Sequence, residues 1–177
     1  MTISIRPTVP ADVPLLPPIE QSAGELFRTV PELAWIADGD NIPPQRHLEL
    51  IAGGACWVAE AEDGSLAGFL AAQQTEDALH IWELSVRQDQ QRRGIGRAMI
   101  GEAAAFAREQ GLQALTLSTF VGVAWNEPMY RRLGFMVLSP EDCDARLQDI
   151  LRNELAAGLH SERRCAMRMH IARVAAA

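Results

Sequence analysis

A chain of 177 residues with 48% hydrophobic content has the usual size of one domain and can bury a core, so we expect a single domain over residues 1–177. Its formal net charge of −7 argues against a nucleic-acid-binding protein, which needs a basic face. No apolar run reaches the roughly 20 residues of a membrane span, and the N-terminus lacks the pattern of a signal peptide. We therefore expect a cytoplasmic protein that does not associate with a membrane.

The cysteines and histidines show no spacing that is typical of a disulfide framework or a metal site. Cys56, Cys143 and Cys165 are odd in number and far apart, which predicts reduced residues that pack in the core. The histidines at positions 47, 80, 160 and 170 are not paired at ligand spacing. We predict no structural or catalytic metal.

The first 54 residues predict one strand and several short helical segments. Residues 3–5 alternate between apolar and polar side chains, which indicates a strand. In residues 10–20, Asp12 is a candidate cap for an apolar helical face that prolines interrupt. Residues 31–37 and 44–52 are two further helical candidates, and we expect the turn-rich stretch between them to be a mobile specificity element.

The middle of the chain predicts a hairpin, a strand, a long helix and another strand. Residues 55–61 and 66–74 are two predicted strands on either side of the polar turn at 62–65. This arrangement is typical of a hairpin. Residues 79–86 form the next predicted strand. They are followed by an alanine-rich helix over 94–110 and a strand over 114–118.

The last third predicts two helices and two strands. Asn126 is a candidate cap for a short helix that runs through Tyr130 and closes at Gly134. The remaining predicted elements are a strand over 135–138, a helix over 144–157 and a strand over 164–171.

The most informative segment is residues 86–98, which predict a strand end, an arginine-rich loop and the first turn of a helix. The free amides of a helix N-terminus attract a phosphate, and Gly94 and Gly96 remove the Cβ atoms that would hold it away. Four arginines concentrate positive charge in this part of an otherwise acidic chain: Arg87, Arg92, Arg93 and Arg97. The segment therefore predicts a pyrophosphate site.

Two common phosphate-binding loops do not fit these residues. A dinucleotide fingerprint needs a third glycine where the chain has Met99, and a P-loop needs a Gly-Lys-Ser/Thr triplet that the chain lacks. A surface turn with solvated arginines is the remaining alternative. An apolar strand before the loop and a long helix after it favour the phosphate site, since they aim the amides in one direction.

Three motifs together resemble the GNAT superfamily of acyl-CoA-dependent N-acetyltransferases. They are Leu84-Ser85-Val86, the run from Gln91 to Ala98 (QRRGIGRA), and the run from Tyr130 to Phe135 (YRRLGF). The resemblance covers most of the chain and is weakest over 20–54 and 139–163. It implies an α+β fold, in which a twisted mixed sheet of six to seven strands is flanked by helices and splays open between its fourth and fifth strands.

The resemblance also implies acetyl-CoA as co-substrate and a set of binding residues. Main-chain groups of Leu84 and Val86 would pair with the pantetheine arm, and a main-chain N–H in this stretch would hold the oxyanion. Asn126 is first a helix cap and second a ligand, because the family's usual cofactor asparagine falls at Val123 here. Gln88 replaces a common proline. The implied cofactor-binding residues are Leu84, Ser85, Val86, Gln91, Arg92, Arg93, Gly94, Ile95, Gly96, Arg97 and Asn126.

Three side chains are candidates for catalysis. Tyr130, the only tyrosine, lies at the family's general-acid position, although its ring could simply pack. Glu83 is a candidate base or amine anchor, against the alternative that it pairs with a nearby arginine. His80 is the second candidate base, against the alternative of an exposed polar residue at a strand start.

These residues predict an N-acetyltransferase that transfers the acetyl group of acetyl-CoA to a primary amine by direct attack in a ternary complex. A small-molecule acceptor is favoured over a protein or peptide. A catalytically silent acyl-CoA-binding regulatory module is the alternative from another class. The sequence does not identify the acceptor, and the family resemblance leaves a homodimer open.

Overall fold

The structure is a computed structural model that describes residues 2–172, apart from the side chain of Ser161. The α-helices are α1 (Leu16–Gly24), α2 (Pro44–Ala52), α3 (Ile95–Glu109), α4 (Glu127–Arg132) and α5 (Ala145–Ala156). The strands are β1 (Ile3–Pro7), β2 (Cys56–Ala61), β3 (Leu66–Gln74), β4 (Ala78–Val86), β5 (Ala114–Phe120), β6 (Met136–Val137) and β7 (Arg164–His170). Short 3-10 helices lie at Pro10–Leu15, Glu25–Thr29, Pro31–Asp38, Gln88–Gln90, Pro140–Asp142 and Ser161–Arg163.

The strands of the described residues form one seven-stranded mixed sheet in the order β1-β2-β3-β4-β5-β7-β6. Strands β4 and β5 are parallel, and their register runs from Ala78 opposite Ala114 to Ile81 opposite Leu117. Both strands continue beyond the last of these pairs. This arrangement confirms the predicted α+β fold and fits a sheet that splays between its fourth and fifth strands.

The described residues fall into two compact units. In the first, which comprises the chain up to Gln74 together with Trp82–Phe106, α1 and α2 pack on one face of β2 and β3. The side chains of this core are Leu16, Ile19, Leu50, Cys56, Val58, Leu66, Phe69 and Ala71. Helix α1 supplies the first two of them three residues apart, which is the spacing of one helical face.

The second unit comprises Thr75–Ile81 and the described residues from Ala107 on. Here α5 packs through Leu147 and Ile150 against Ala166. A half-buried ion pair fixes the helix further, because Arg164 on β7 donates two hydrogen bonds to Glu154 on α5, at 2.9 and 2.7 Å. Its guanidinium also lies 4.4 Å from the ring centroid of Phe120, a cation–π distance.

The first helical segment begins as predicted but continues further. Residues 10–15 form a 3-10 helix, and α1 then runs to Gly24 because Pro17 and Pro18 occupy its first turn, where a missing N–H costs no helical bond. Asp12 is the third residue of the 3-10 helix instead of preceding it. Its carboxylate accepts the Val9 amide at 2.9 Å and is paired with Arg6 at 2.8 Å.

Two other elements differ from the prediction in kind or length. Residues Pro31–Asp38 form a 3-10 helix, and β6 has only the two residues Met136 and Val137. The other predicted helices and strands are confirmed, with boundaries that differ from the predicted ones by at most two residues. Such offsets are normal, since the ends of helices and strands depend on tertiary contacts.

The three cysteines are buried and free, which confirms their predicted packing role. Burial raises the pKa of Cys56 and of Cys165 to about 11. No group of His, Cys, Asp and Glu side chains suited to a metal ion occurs in residues 2–172. The helices of this same part of the chain are too short or too polar to cross a bilayer.

Gly68 on β3 allows β4 and α3 to approach closely in the first unit. A Cβ atom at this position would lie 2.7 Å from the Ser85 carbonyl oxygen and 3.2 Å from both Met99 Cε and Val86 Cγ2. No local pattern signals this requirement, because it comes from residues distant in the chain. Gly68 therefore sets where the end of β4 lies against the start of α3.

We expect Gly68→Ala to lower the free energy of unfolding by about 1 to 3 kcal/mol, since the added methyl group must displace backbone. Urea denaturation followed by circular dichroism measures this loss. The control is Gly101→Ala on α3, where a Cβ meets no atom within 4 Å. That substitution should stabilise the helix by up to about 1 kcal/mol. Equal stability of the two variants would contradict the close approach.

Candidate active site

A side chain of the loop itself and a glycine fix the conformation of the loop after β4. Gln91 Nε2 donates to the Val86 carbonyl oxygen at 3.0 Å and so fixes the loop to the strand end. Arg92 and Gly94 have φ angles of +59° and +81°. Nothing within 4 Å would meet a Cβ on Gly94, so this glycine serves the left-handed backbone conformation and not a lack of space.

The chain then enters α3 with its first amides unused by the helix. The first helical bond runs from Ala98 N to Gly94 O at 3.0 Å, so the four amides of residues 94–97 have no partner inside the helix. Ile95 is buried and anchors the turn. A Cβ on Gly96 would meet only the Leu84 side chain, at 3.8 Å. This geometry suits an anionic group such as a pyrophosphate.

The positive charge that this loop can offer to a ligand is smaller than its four arginines led us to predict. Arg87 forms two hydrogen bonds with Asp89, at 3.1 and 2.9 Å, and its charge is balanced there. Arg93 donates to Gln90. Arg92 and Arg97 are exposed and form no ion pair with the described residues. These two side chains therefore supply charge that is available to an anion.

The end of β4 places its three predicted cofactor-contacting residues next to Glu83. Ser85 is buried, whereas Leu84 and Val86 are half-buried. The Ser85 hydroxyl donates to Glu83 Oε1 at 2.7 Å and fixes that carboxylate on the strand. The Val86 carbonyl oxygen accepts from Gln91, so this main-chain group at the end of β4 is already engaged.

The charge of Glu83 acts on a second carboxylate, which the sequence did not single out. Glu20 on α1 is half-buried, and both of its oxygens accept the Ile42 amide, at 3.2 and 3.1 Å. Burial, and then repulsion from Glu83, raise the pKa of Glu20 to about 7, although the Ile42 hydrogen bond opposes this. Its position on a weakly patterned, proline-rich helix offered no signal.

His80 lies inside the sheet of the second unit and is not the exposed residue that one alternative expected. Its side chain is 2% exposed, and Nδ1 lies 3.0 Å from the Thr116 hydroxyl on the paired strand. Burial, and then the charge of Arg146, lower the pKa of His80 to about 3, with Asp144 opposing. The imidazole is therefore neutral at physiological pH.

Tyr130 on α4 is buried in the second unit. Its ring meets Phe135 edge to face, with 5.5 Å between the centroids, and Phe135 N donates to the Tyr130 carbonyl at 3.1 Å. These contacts orient the phenol, so packing and a chemical role are compatible.

Asn126 precedes α4 as predicted, but its side chain does not cap the helix. No cap hydrogen bond forms; Nδ2 instead donates to the Thr119 hydroxyl at 2.9 Å. The backbone turn places Oδ1 in a buried position without a hydrogen-bond partner. A buried acceptor of this kind needs a donor, which a ligand can supply. The capping prediction was therefore wrong.

The predicted site residues thus divide between the two units. The loop, the end of β4 and Glu83 lie together in the first unit, where Glu20 joins them. Tyr130, Asn126 and His80 lie in the second unit.

Comparison with known proteins identifies the class to which this fold and loop belong. The Acetyltransferase (GNAT) family model matches residues 23–135, which include the loop after β4 and the Leu-Gly-Phe motif. Since the match covers more than half of the chain, the protein belongs to the GNAT family of acetyltransferases.

Individual relatives match over part or all of the chain. Over 81 residues the chain is 38% identical to streptothricin acetyltransferase from Streptomyces lavendulae. That match spans 45% of this chain and 43% of the relative, which is less than half of its length. The crystal structure of nourseothricin acetyltransferase is 30% identical with a TM-score of 0.52, covering 66% of this chain and 65% of that one.

A third comparison shows the fold over nearly the whole length. The crystal structure of PaiA N-acetyltransferase from Thermoplasma acidophilum in complex with coenzyme A has a TM-score of 0.72 and 16% identity. It covers 96% of this chain and 99% of that one.

The buried His80 predicts a pH-dependent stability difference. Unfolding exposes the imidazole, whose pKa returns from about 3 to its ordinary value of 6.5, so the wild type loses stability as the pH falls below 6.5. Relative to His80→Gln, we expect the wild type to lose up to about 2 kcal/mol of its free energy of unfolding between pH 8 and pH 5. Denaturant titrations at both pH values measure it. The matched control is His160→Gln at an exposed position, and a pH-independent difference for His80→Gln would contradict the prediction.

Proposed function

We propose that the protein transfers the acetyl group of acetyl-CoA to a primary amine of a small molecule by direct attack in a ternary complex. One observation carries this proposal: in a member of the GNAT family, the four amides that α3 leaves unused at its start follow a left-handed turn at Gly94. This geometry supports the binding of the CoA pyrophosphate.

The residues present fit the co-substrate. The amides of residues 94–97 would hold the pyrophosphate, with Arg92 and Arg97 adding charge that nothing in the described residues neutralises. The amide of Val86 would pair with the pantetheine arm as an added strand does. The buried Oδ1 of Asn126 would accept a pantetheine N–H and so gain its missing donor.

The acceptor must lose a proton before it attacks. An alkylamine has a pKa of ~10.4 and is mostly protonated at neutral pH. Glu83 is the proposed base or amine anchor, and Ser85 fixes the orientation of its carboxylate. His80 is the weaker candidate, because its pKa of about 3 makes it a poor acceptor of an ammonium proton.

The leaving thiolate must gain a proton. Attack forms the C–N bond, and the tetrahedral oxyanion would be held by a main-chain N–H in residues 84–86. Collapse breaks the C–S bond, and Tyr130 would donate its phenolic proton to the sulfur, then recover one from the nitrogen. Holding both substrates together supplies further acceleration.

The relatives support a small-molecule acceptor. Streptothricin acetyltransferase and nourseothricin acetyltransferase are named for small molecules, and each is at least 30% identical to this chain over the matched part. In this chain, specificity would lie in residues 20–54, which carry Trp35 with 48% of its surface exposed. A peptide acceptor remains the competing member of the same enzyme class.

The first test is release of CoA from acetyl-CoA over a panel of polyamines, aminoglycosides, amino acids and peptides. We expect turnover with at least one small amine and a loss of about 100-fold or more in kcat for Tyr130→Phe, because general-acid catalysis contributes about that much. The sequence has no lysine, so the chain offers no lysine side chain that would confuse acetyl-group counting by mass spectrometry.

Full activity of Tyr130→Phe would contradict the acid assignment. If CoA raises the thermal stability of the wild type but no amine is acetylated, the protein is instead a silent acyl-CoA-binding module. If calorimetry shows no heat with CoA or acetyl-CoA, the whole proposal fails.

A second test concerns Asn126. We expect Asn126→Ala to weaken CoA binding by about fivefold, since a lost hydrogen bond costs roughly 1 kcal/mol. Adenosine 3′,5′-bisphosphate lacks pantetheine, so its affinity should not change. Isothermal titration calorimetry measures both ligands, with exposed Asn153→Ala as the control. An equal loss for both ligands would show that Asn126 acts through the fold and not through pantetheine.

A further inference from the structure

Glu20 is a half-buried carboxylate that no cation in the described residues neutralises. Its hydrogen-bond donor is the Ile42 amide, and the charged group that acts on it is another carboxylate, Glu83. Acidic side chains are seldom buried without a positive partner, because desolvation of the charge costs free energy. A residue kept at this cost is a candidate for a role with a ligand.

The position of Glu20 is fixed from two sides. Ile42 holds both carboxylate oxygens, which ties α1 to the segment before α2. Two residues further along α1, the Ser22 hydroxyl accepts the Gln88 amide at 3.1 Å, just beyond the end of β4. The helix that carries Glu20 is therefore fastened to the end of the strand that carries Glu83. All of these residues belong to the first unit.

The other charges on elements that pack against α1 are paired or exposed. Strand β3 has no ionisable residue, and Asp12 is bonded to Arg6. Arg28 is bonded to both Glu25 and Asp38. Glu32 lies at the exposed start of the 3-10 helix at Pro31–Asp38. Glu83 is thus the group whose charge acts on Glu20.

We propose that Glu20 takes the proton from the ammonium group of the acceptor while Glu83 holds that group in place, so that the preferred acceptors are aliphatic amines that arrive as cations. This inference rests on the function proposed above and names a catalytic residue and an acceptor class within it. Two carboxylates in different environments divide anchoring and proton transfer between them.

The proton balance is complete. The acceptor R–NH3⁺ gives one proton to the Glu20 carboxylate and becomes R–NH2, which attacks the thioester and forms the C–N bond. Collapse of the tetrahedral intermediate then breaks the C–S bond. The sulfur gains a proton from Tyr130, which regains one from the nitrogen. Glu20 then releases its proton to solvent. The net products are the amide, CoA–SH and one proton.

The decisive variant is Glu20→Gln, which keeps an oxygen for the Ile42 amide but cannot take a proton. At pH 7 we expect kcat/KM for an alkylamine to fall about 100-fold, the contribution of a general base. An arylamine is uncharged at this pH and should lose less than about threefold, because it has no proton to give up before attack. The control, Glu62→Gln, removes the same charge from an exposed residue in the turn between β2 and β3 and should leave both rates unchanged.

A binding-independent readout tests whether the charge of Glu20 is buried. The pKa of this carboxyl is about 7 in the folded chain and 4.5 ordinarily, so the wild type loses stability as the pH rises from 4.5 to 7. The melting temperature of Glu20→Gln should therefore exceed that of the wild type by more at pH 8 than at pH 4.5. The same difference at both pH values would overturn the inference.

The outcomes separate the inference from the proposed function. If the wild type acetylates no amine, the proposed function fails. If the wild type acetylates an alkylamine but Glu20→Gln loses less than threefold, or loses equally with the arylamine, the inference fails and the proposed function stands. A large loss confined to the alkylamine supports both.

Discussion

Four amides at the start of α3 that the helix cannot satisfy are the constraint on which the rest of the site depends. A helix always leaves its first N–H groups without internal partners, and most proteins cover them with a side-chain cap. Here Gly94 turns the chain in the left-handed region, and Ala98 donates the first bond inside the helix. Gln91 holds the loop to the end of β4, so the amides are presented before any ligand arrives.

The parts of this site that could be predicted from sequence are those that depend on backbone. Glycines, a strand before them and a helix after them determine the loop within about a dozen residues. Gly68 and Glu20 could not be found in this way, because what matters at each is an atom from a distant part of the chain: the Ser85 carbonyl in one case and Glu83 in the other. The side chain of Asn126 was misassigned for a related reason, since its Nδ2 donates to Thr119 on β5 and its Oδ1 accepts no amide of the helix.

Desolvation has opposite chemical effects on two buried titratable residues, His80 and Glu20. In both, burial favours the neutral form, which lowers the pKa of the imidazole and raises that of the carboxyl. For the imidazole this weakens a candidate base, whereas for the carboxyl it creates a group that exchanges protons near neutral pH. In the proposed mechanism, a residue on α1 therefore takes the role for which the sequence suggested His80 as a second base.

The hydrogen bond between Ser22 and Gln88 has a consequence for how the binding of one proposed ligand affects the binding of the other. A single hydroxyl connects α1, which carries Glu20, to the loop after β4, so that in the proposed function a motion of one segment would affect the other. If the two ligands bind as proposed, ordering of the loop by one would reduce the conformational entropy that remains for α1 to lose, and each ligand would then lower the free-energy cost of binding the other. Cooperativity of this kind is reciprocal by thermodynamic linkage, and it requires no change in the average structure.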